Sequence, residues 1–263
     1  MAQGGINLPG KGSFGNISMF TRKDGKVVFR SKGGASADKI NNDPEFAAQR
    51  KQMSRFGGCS TAAKMIRNAM PNIGHLAYSA FHGDLVNIAS SLMALDASNP
   101  MDGKKSIIFS NGLALLQGFQ MNKENNFDSV ITTPIGCVIK REDSSATLQL
   151  PPLLPGKNFR PPWGYPYYRL RVNLGIIRDM FFDGVAYSPI TPHLQEHSEK
   201  LDLPWTSVKD IFPTTEIRLK FDDPVFDQHC HLMVAIGVEF GVHVAGEITH
   251  VKHAGCGKIL AVG

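Results

Sequence analysis

The sharpest chemical hint in this 263-residue chain is His193-Leu194-Gln195-Glu196-His197. Two histidines four positions apart share one face of a helix, which is zinc-ligand spacing, and Glu196 could act as a base. Thr191 and Pro192 would supply the cap and the first helical residue. Such a helix is only about two turns long. The motif brings no third ligand, although Glu239 and Glu247 are available by type. The expectation is a polar surface helix, with His193, Glu196 and His197 as a zinc-hydrolase alternative. A second concentration lies in the last quarter: His229, Cys230, His231, His243, His250, His253 and Cys256. On a strand His229 and His231 share a face, but the spacing matches no standard metal site.

Phosphate chemistry has partial signatures. Gly10 to Gly15 fits GxGxxG, and His82-Gly83-Asp84-Leu85 resembles a small-molecule kinase catalytic loop. Phosphoryl transfer also needs a metal-binding Asn five residues after the Asp, and that position is Ala89. Gly5 to Lys11 fits GxxxxGK, yet Gly12 follows where Mg²⁺ binding requires Ser or Thr, and only four residues precede the motif. No GxSxG elbow or Ser-His-Asp order is present. With every motif incomplete, the chain is expected to be no enzyme and to need no cofactor.

The net charge of +5 is lopsided. Residues 1–110 hold 14 Lys/Arg and 7 Asp/Glu; residues 111–263 hold 14 and 16. Arg50, Lys51, Arg55, Lys64 and Arg67 fall on expected helices, and Arg22, Lys23, Arg30 and Lys32 on an expected hairpin. Such a surface would suit nucleic acid or another acidic partner, and it also suits an ordinary solvated face.

The elements that must position these groups can be read from periodicity. Ile17 to Arg22 and Lys26 to Lys32 read as strands around a Lys23-Asp24-Gly25 turn. Asn42-Asp43-Pro44-Glu45 is a helix start. Phe46, Arg50, Met53, Arg55 and Phe56 suit one amphipathic helix. Gly57-Gly58 is expected to interrupt it, with a second piece ending at Pro71. Residues 74–95 carry Leu76, Phe81, Leu85, Ile88 and Leu92 as a further helical stripe. Beyond about residue 104 the period shortens to two. Ile107 to Phe109, Ser129 to Ile139, Ala146 to Leu150, Tyr167 to Ile176, Met180 to Tyr187, Glu216 to Phe221 and Leu232 to Val244 are strand candidates. Six prolines between Pro151 and Pro166 mark a loop, which Trp163, Tyr165, Tyr167 and Tyr168 would pin to the sheet. The expected fold is α+β: an arm, hairpin and helical region over residues 1–103, then an antiparallel β-sandwich-like or barrel-like region over 104–263.

Four scattered cysteines, at 59, 137, 230 and 256, read as reduced and mostly buried thiols. No apolar run reaches the ~18 residues of a membrane helix. The Gly-rich opening lacks the basic and apolar regions of a signal peptide. A cytoplasmic location at synthesis is the expectation, with no membrane insertion.

The stretches GSFGNISMFTRKDGKVVFRS (12–31) and FAAQRKQMSRFGGCSTAAK (46–64) carry a resemblance. They are similar to the opening of a family of uncharacterised bacterial proteins with a Gly-rich start, a short hairpin ending in Arg-Ser, and a helix near a Gln/Arg-rich stretch. The resemblance implies a β-rich remainder and no activity.

Numerous strands and failed active sites favour a structural protein that self-associates into a homo-oligomer or filament. Its contact is expected in the arm, residues 1–16, through Ile6, Leu8 and Phe14. Fixing Gly-rich backbone costs about 1–2 kcal/mol per residue, and three apolar side chains return about 1.5–3 kcal/mol each. Backbone pairing on a sheet edge must supply the rest.

Overall fold

The computed structural model describes residues 11–22, 24–31, 33–97, 105–189, 198–222 and 228–263. It divides into two compact units, Met1–Gln52 and Met53–Gly263, and the boundary falls inside a helix.

The first unit begins with an antiparallel meander of β1 (Lys11–Phe14), β2 (Ile17–Thr21) and β3 (Val27–Ser31). The expected hairpin is β2–β3, closed where Gly25 takes φ +79° and the Arg22 carbonyl accepts from its amide. The sequence reading missed β1. It pairs with β2 through a turn at Gly15-Asn16, so the last residues of the arm belong to their own chain's sheet. Helix α1 (Ala37–Asn42) is capped by the Ser36 hydroxyl, which accepts from the Lys39 amide at 3.2 Å. Asp43 accepts from the Glu45 amide and opens the 3₁₀ turn Pro44–Phe46, as the Asn-Asp-Pro-Glu signal predicts.

Helix α2 (Ala47–Asn68) then runs unbroken through Gly57-Gly58. This corrects the expected interruption. A Cβ on Gly58 would sit 2.5 Å from the Tyr187 ring, so the missing side chain makes room for an aromatic neighbour. The buried residues of α2 are Gly58, Cys59, Ala62, Ala63, Met65 and Ile66, whereas Met53 and Phe56 are exposed. A 3₁₀ turn, Gly74–Leu76, leads to α3 (Phe81–Leu95), and a short α4 (Phe127–Val130) follows. The candidate strand starting at Ser129 therefore begins only at Gly136. Ile107 makes one isolated bridge, to Met180, before a 3₁₀ turn at Phe109–Asn111.

Nine further described strands follow, of which β9 and β10 were not among the candidates: β4 (Gly136–Lys140), β5 (Ser145–Leu150), β6 (Tyr167–Arg178), β7 (Met180–Phe182), β8 (Tyr187–Pro189), β9 (Ser198–Asp202), β10 (Thr206–Ser207), β11 (Thr215–Lys220) and β12 (Cys230–Val244). A tenth, β13 (Glu247–Val262), closes the chain. All of the ladders are antiparallel. The central sheet runs β10-β6-β12-β13, with β9 also on β6; a second sheet runs β11-β5-β4.

Period two decides the layers. From β6 and β12, Tyr168, Leu170, Val172, Leu174, Leu232, Val234, Ile236, Val238 and Phe240 point toward the second sheet and share a core with Ala146, Leu148, Leu150, Ile217 and Leu219. The opposite face, with Ile177, Met233, Ala235 and β13's Ile259, shares a core with α2 and α3. The fold is α+β and β-rich, as expected. Trp163, in the proline loop, packs on Phe240 with ring centroids 5.0 Å apart.

Candidate functional site

Glycines on the helix-side face of the central sheet decide what can approach it. Gly175 on β6, Gly237 on β12, and Gly255 and Gly257 on β13 form a trough. A Cβ at Gly237 would meet Leu76 at 2.6 Å, one at Gly255 would meet Leu76 at 2.6 Å, and one at Gly257 would meet Met121 at 2.7 Å. A Cβ at Gly175 would collide with the Ala69 carbonyl oxygen. The segment after α2 can therefore lie directly on the sheet, and it carries Asn72 and His75 to the strands.

There the face turns from apolar to ionic. Arg169 on β6 stands opposite Glu239 on β12, with Arg171 two residues further along. The Glu239 side chain is 1% exposed. Its Oε2 accepts from Arg169 Nε at 2.7 Å and lies 3.1 Å from Arg171 Nε, an ion pair without the alignment of a hydrogen bond. Its Oε1 is 2.7 Å from His75 Nε2. Asp202 on β9 pairs with Arg171 at 3.1 Å and accepts from Asn72 Nδ2 at 2.7 Å; Arg171 also donates to the Asn72 carbonyl. The Arg169 guanidinium stacks 4.5 Å from the Trp205 ring. Burial pushes the Glu239 carboxyl up, but the hydrogen bonds from His75 and Arg169 and the two guanidinium charges outweigh it and hold the pKa at about 2. Two cations and two anions cancel, so the cluster is neutral and its carboxylate stays ionised.

His75 also lines a cavity of about 300 Å³. The cavity is bounded by Tyr78 and Ser79, by the Asn122–Asn125 turn and by His253. The Asn122 Oδ1 accepts from the backbone amides of Glu124 and Asn125 at 3.0 and 3.2 Å, which sets that turn. Beside it the Tyr78 hydroxyl donates to Asp84, which pairs with Lys123 at 2.8 Å. His82-Gly83-Asp84 is thus the first turn of α3, and its Asp ties that helix to the 122–125 turn.

A second buried carboxylate, Asp179, lies between β6 and β7. Its Oδ1 accepts from the Phe109 amide at 2.7 Å and faces His231 Nε2 at 3.2 Å; its Oδ2 faces His229 Nδ1 at 3.1 Å. The face shared by His229 and His231 therefore leads both to one carboxylate. Burial raises the Asp179 pKa, and the hydrogen bonds from His231, His229 and Phe109 bring it below the ordinary carboxylate value. Among the described residues no group of three or more His, Cys, Asp and Glu is placed to hold a metal ion. The four cysteines are free; Cys59, Cys230 and Cys256 are buried and Cys137 half-buried.

The other sequence candidates scatter. His193, Glu196 and His197 lie outside the described residues, as do Ile6 and Leu8. Phe14 ends β1, its backbone paired with Ile17. Arg50 donates to the Ile40 and Asp43 carbonyls at 2.7 and 2.8 Å, closing the end of α1. Lys51, Lys64 and Arg67 are exposed and Arg55 half-buried. Arg55 and Lys64, nine positions apart, point about 180° apart around α2, so they form no common stripe. Sequence reasoning missed Arg169, Arg171, Asp202 and His75. The available signal was charge inside apolar strand runs: Arg-Leu-Arg at 169–171, and Glu239 within 232–244. No family model, curated protein or solved structure matches this chain.

Proposed function

We propose that this is a non-enzymatic structural protein that self-associates into a homo-oligomer or filament, with the first sheet as its contact surface. One observation carries the reading. The register pairs Ile17 with Ser31, Met19 with Phe29 and Thr21 with Val27, so these six residues share one uncharged face. On it Ile17, Val27 and Phe29 are 47%, 49% and 58% exposed. The opposite face carries Lys11, Ser13, Ser18, Phe20, Val28 and Arg30. A small sheet gains independent stability when a hydrophobic face is covered. A second copy suits the role, because facing sheets would bury their uncharged sides and leave Lys11 and Arg30 outward. The edge of β1, which has no second strand partner among the described residues, could extend the contact by strand addition. The preceding arm with Ile6 and Leu8 belongs to the same contact in this reading.

Sedimentation velocity across a concentration series tests this. The wild-type protein is expected to sediment as a multiple of 28.7 kDa, and Phe29→Asp to shift it to the monomer. A wild type that stays monomeric throughout would sink the proposal.

A second reading, binding of nucleic acid or another acidic partner, is favoured by where the charge sits. Residues 1–52 hold 9 Lys/Arg and 4 Asp/Glu, and residues 53–263 hold 19 of each, so the first unit carries the whole +5. In this reading a DNA duplex is retarded at low salt and released as salt rises, because binding expels counterions. Retention that ignores salt would rule it out.

A further inference from the structure

We propose that the cavity beside His75 is a binding site for a small cation bearing N–H donors, a primary ammonium or a guanidinium. The donor and acceptor roles of its walls point to that class. His75 Nε2 lies 2.7 Å from an ionised carboxylate oxygen of Glu239, and a carboxylate can only accept. When the ring is neutral its proton is therefore on Nε2, and Nδ1 is left as an acceptor. A buried carboxylate held by two arginines fixes this tautomer, much as outer carboxylates orient the histidines of working sites.

Glu124, an exposed residue on the turn that Asn122 sets, also lines the cavity. Its carboxylate has no hydrogen-bond or ion-pair partner among the described residues. The cations nearby are already engaged: Lys123 with Asp84, and Arg169 and Arg171 with Glu239 and Asp202. The polar residues around the space are thus Glu124, His75, His253, Tyr78, Ser79, Asn122 and Asn125, and no lysine or arginine is among its walls. An anion would meet Glu124 unopposed. A cation with several N–H groups satisfies both acceptors at once. A volume of about 300 Å³ is at the small end of ligand cavities, which suits a ligand of a few carbons.

Calorimetric titration of the full-length protein with agmatine, which carries one ammonium and one guanidinium, tests the assignment. The expected result is saturable binding of one agmatine per chain. Glu124→Gln, a change at a turn position, should weaken it by about tenfold, the scale of one charge-assisted hydrogen bond. The ¹⁵N resonance of His75 Nδ1 should move during the titration. Three results would each overturn the proposal: no saturable binding, equal binding by Glu124→Gln, or a His75 resonance that stays in place while agmatine binds.

Discussion

Replacing Glu239 by Gln would remove one charge from a cluster in which Arg169, Arg171, Asp202 and Glu239 balance. The expected cost is about 3–5 kcal/mol, because two guanidinium groups lose their buried partner; urea unfolding measures it. The same residue sets a pH dependence. Its folded pKa, about 2, lies below the ordinary 4.5. The stability it contributes is therefore complete above about pH 4.5 and is lost as pH falls toward 2. Asp179, also lowered, adds a slope of the same sign. Unfolding free energy should fall with acidification through this window in the wild type, and less steeply in Glu239→Gln. Equal slopes would show that Glu239 is not held ionised by its neighbours.

At the scale of elements, two glycines offer opposite tests of how α2 and β6 are built. Gly57 lies inside α2, and a Cβ there would meet nothing within 4 Å. Gly57→Ala should raise stability by about 0.5–1 kcal/mol, since alanine loses less backbone entropy in a helix. Gly175 lies on β6, where a Cβ would run into the backbone of Ala69. Gly175→Ala should cost about 1–3 kcal/mol, because the chain leaving α2 must lift off the sheet. Thermal unfolding midpoints moving in opposite directions would bear this out; a Gly175→Ala variant as stable as the wild type would contradict the close approach.

For the molecule as a whole, charge and apolar surface divide along the chain. The larger unit is electrically balanced and buries its apolar residues in two cores, one on each face of the central sheet. The first unit carries the net charge, and Met19 is its only fully buried hydrophobic side chain among the described residues. The exposed apolar side of the first unit supports the self-association proposal, and its charge supports the reading as a binder of an acidic partner. The agmatine site lies wholly in the larger unit. A Phe29→Asp variant that becomes monomeric should therefore still bind agmatine as the wild type does.

Local signals determined much of the architecture. Alternation at 146–150 and 216–221 marked strands because one flank of each faces a core, and the apolar runs at 167–176 and 232–244 did so because both flanks face one. Asp43-Pro44 and the turn at Asp24-Gly25 were legible because caps and tight turns depend on neighbouring residues alone. Tertiary structure decided what Gly58 does, since a glycine's effect depends on which group packs against it, and here that is Tyr187. It also made a strand of 247–262, a stretch outside the strand candidates, where β12 supplies the hydrogen bonds and Leu76 and Met121 fill the space over its glycines. The His75–Glu239 contact spans 164 positions. Nothing in the residues around either one encodes it, because the register of β6 on β12 and the close approach of the chain after α2 exist only once the sheet has formed.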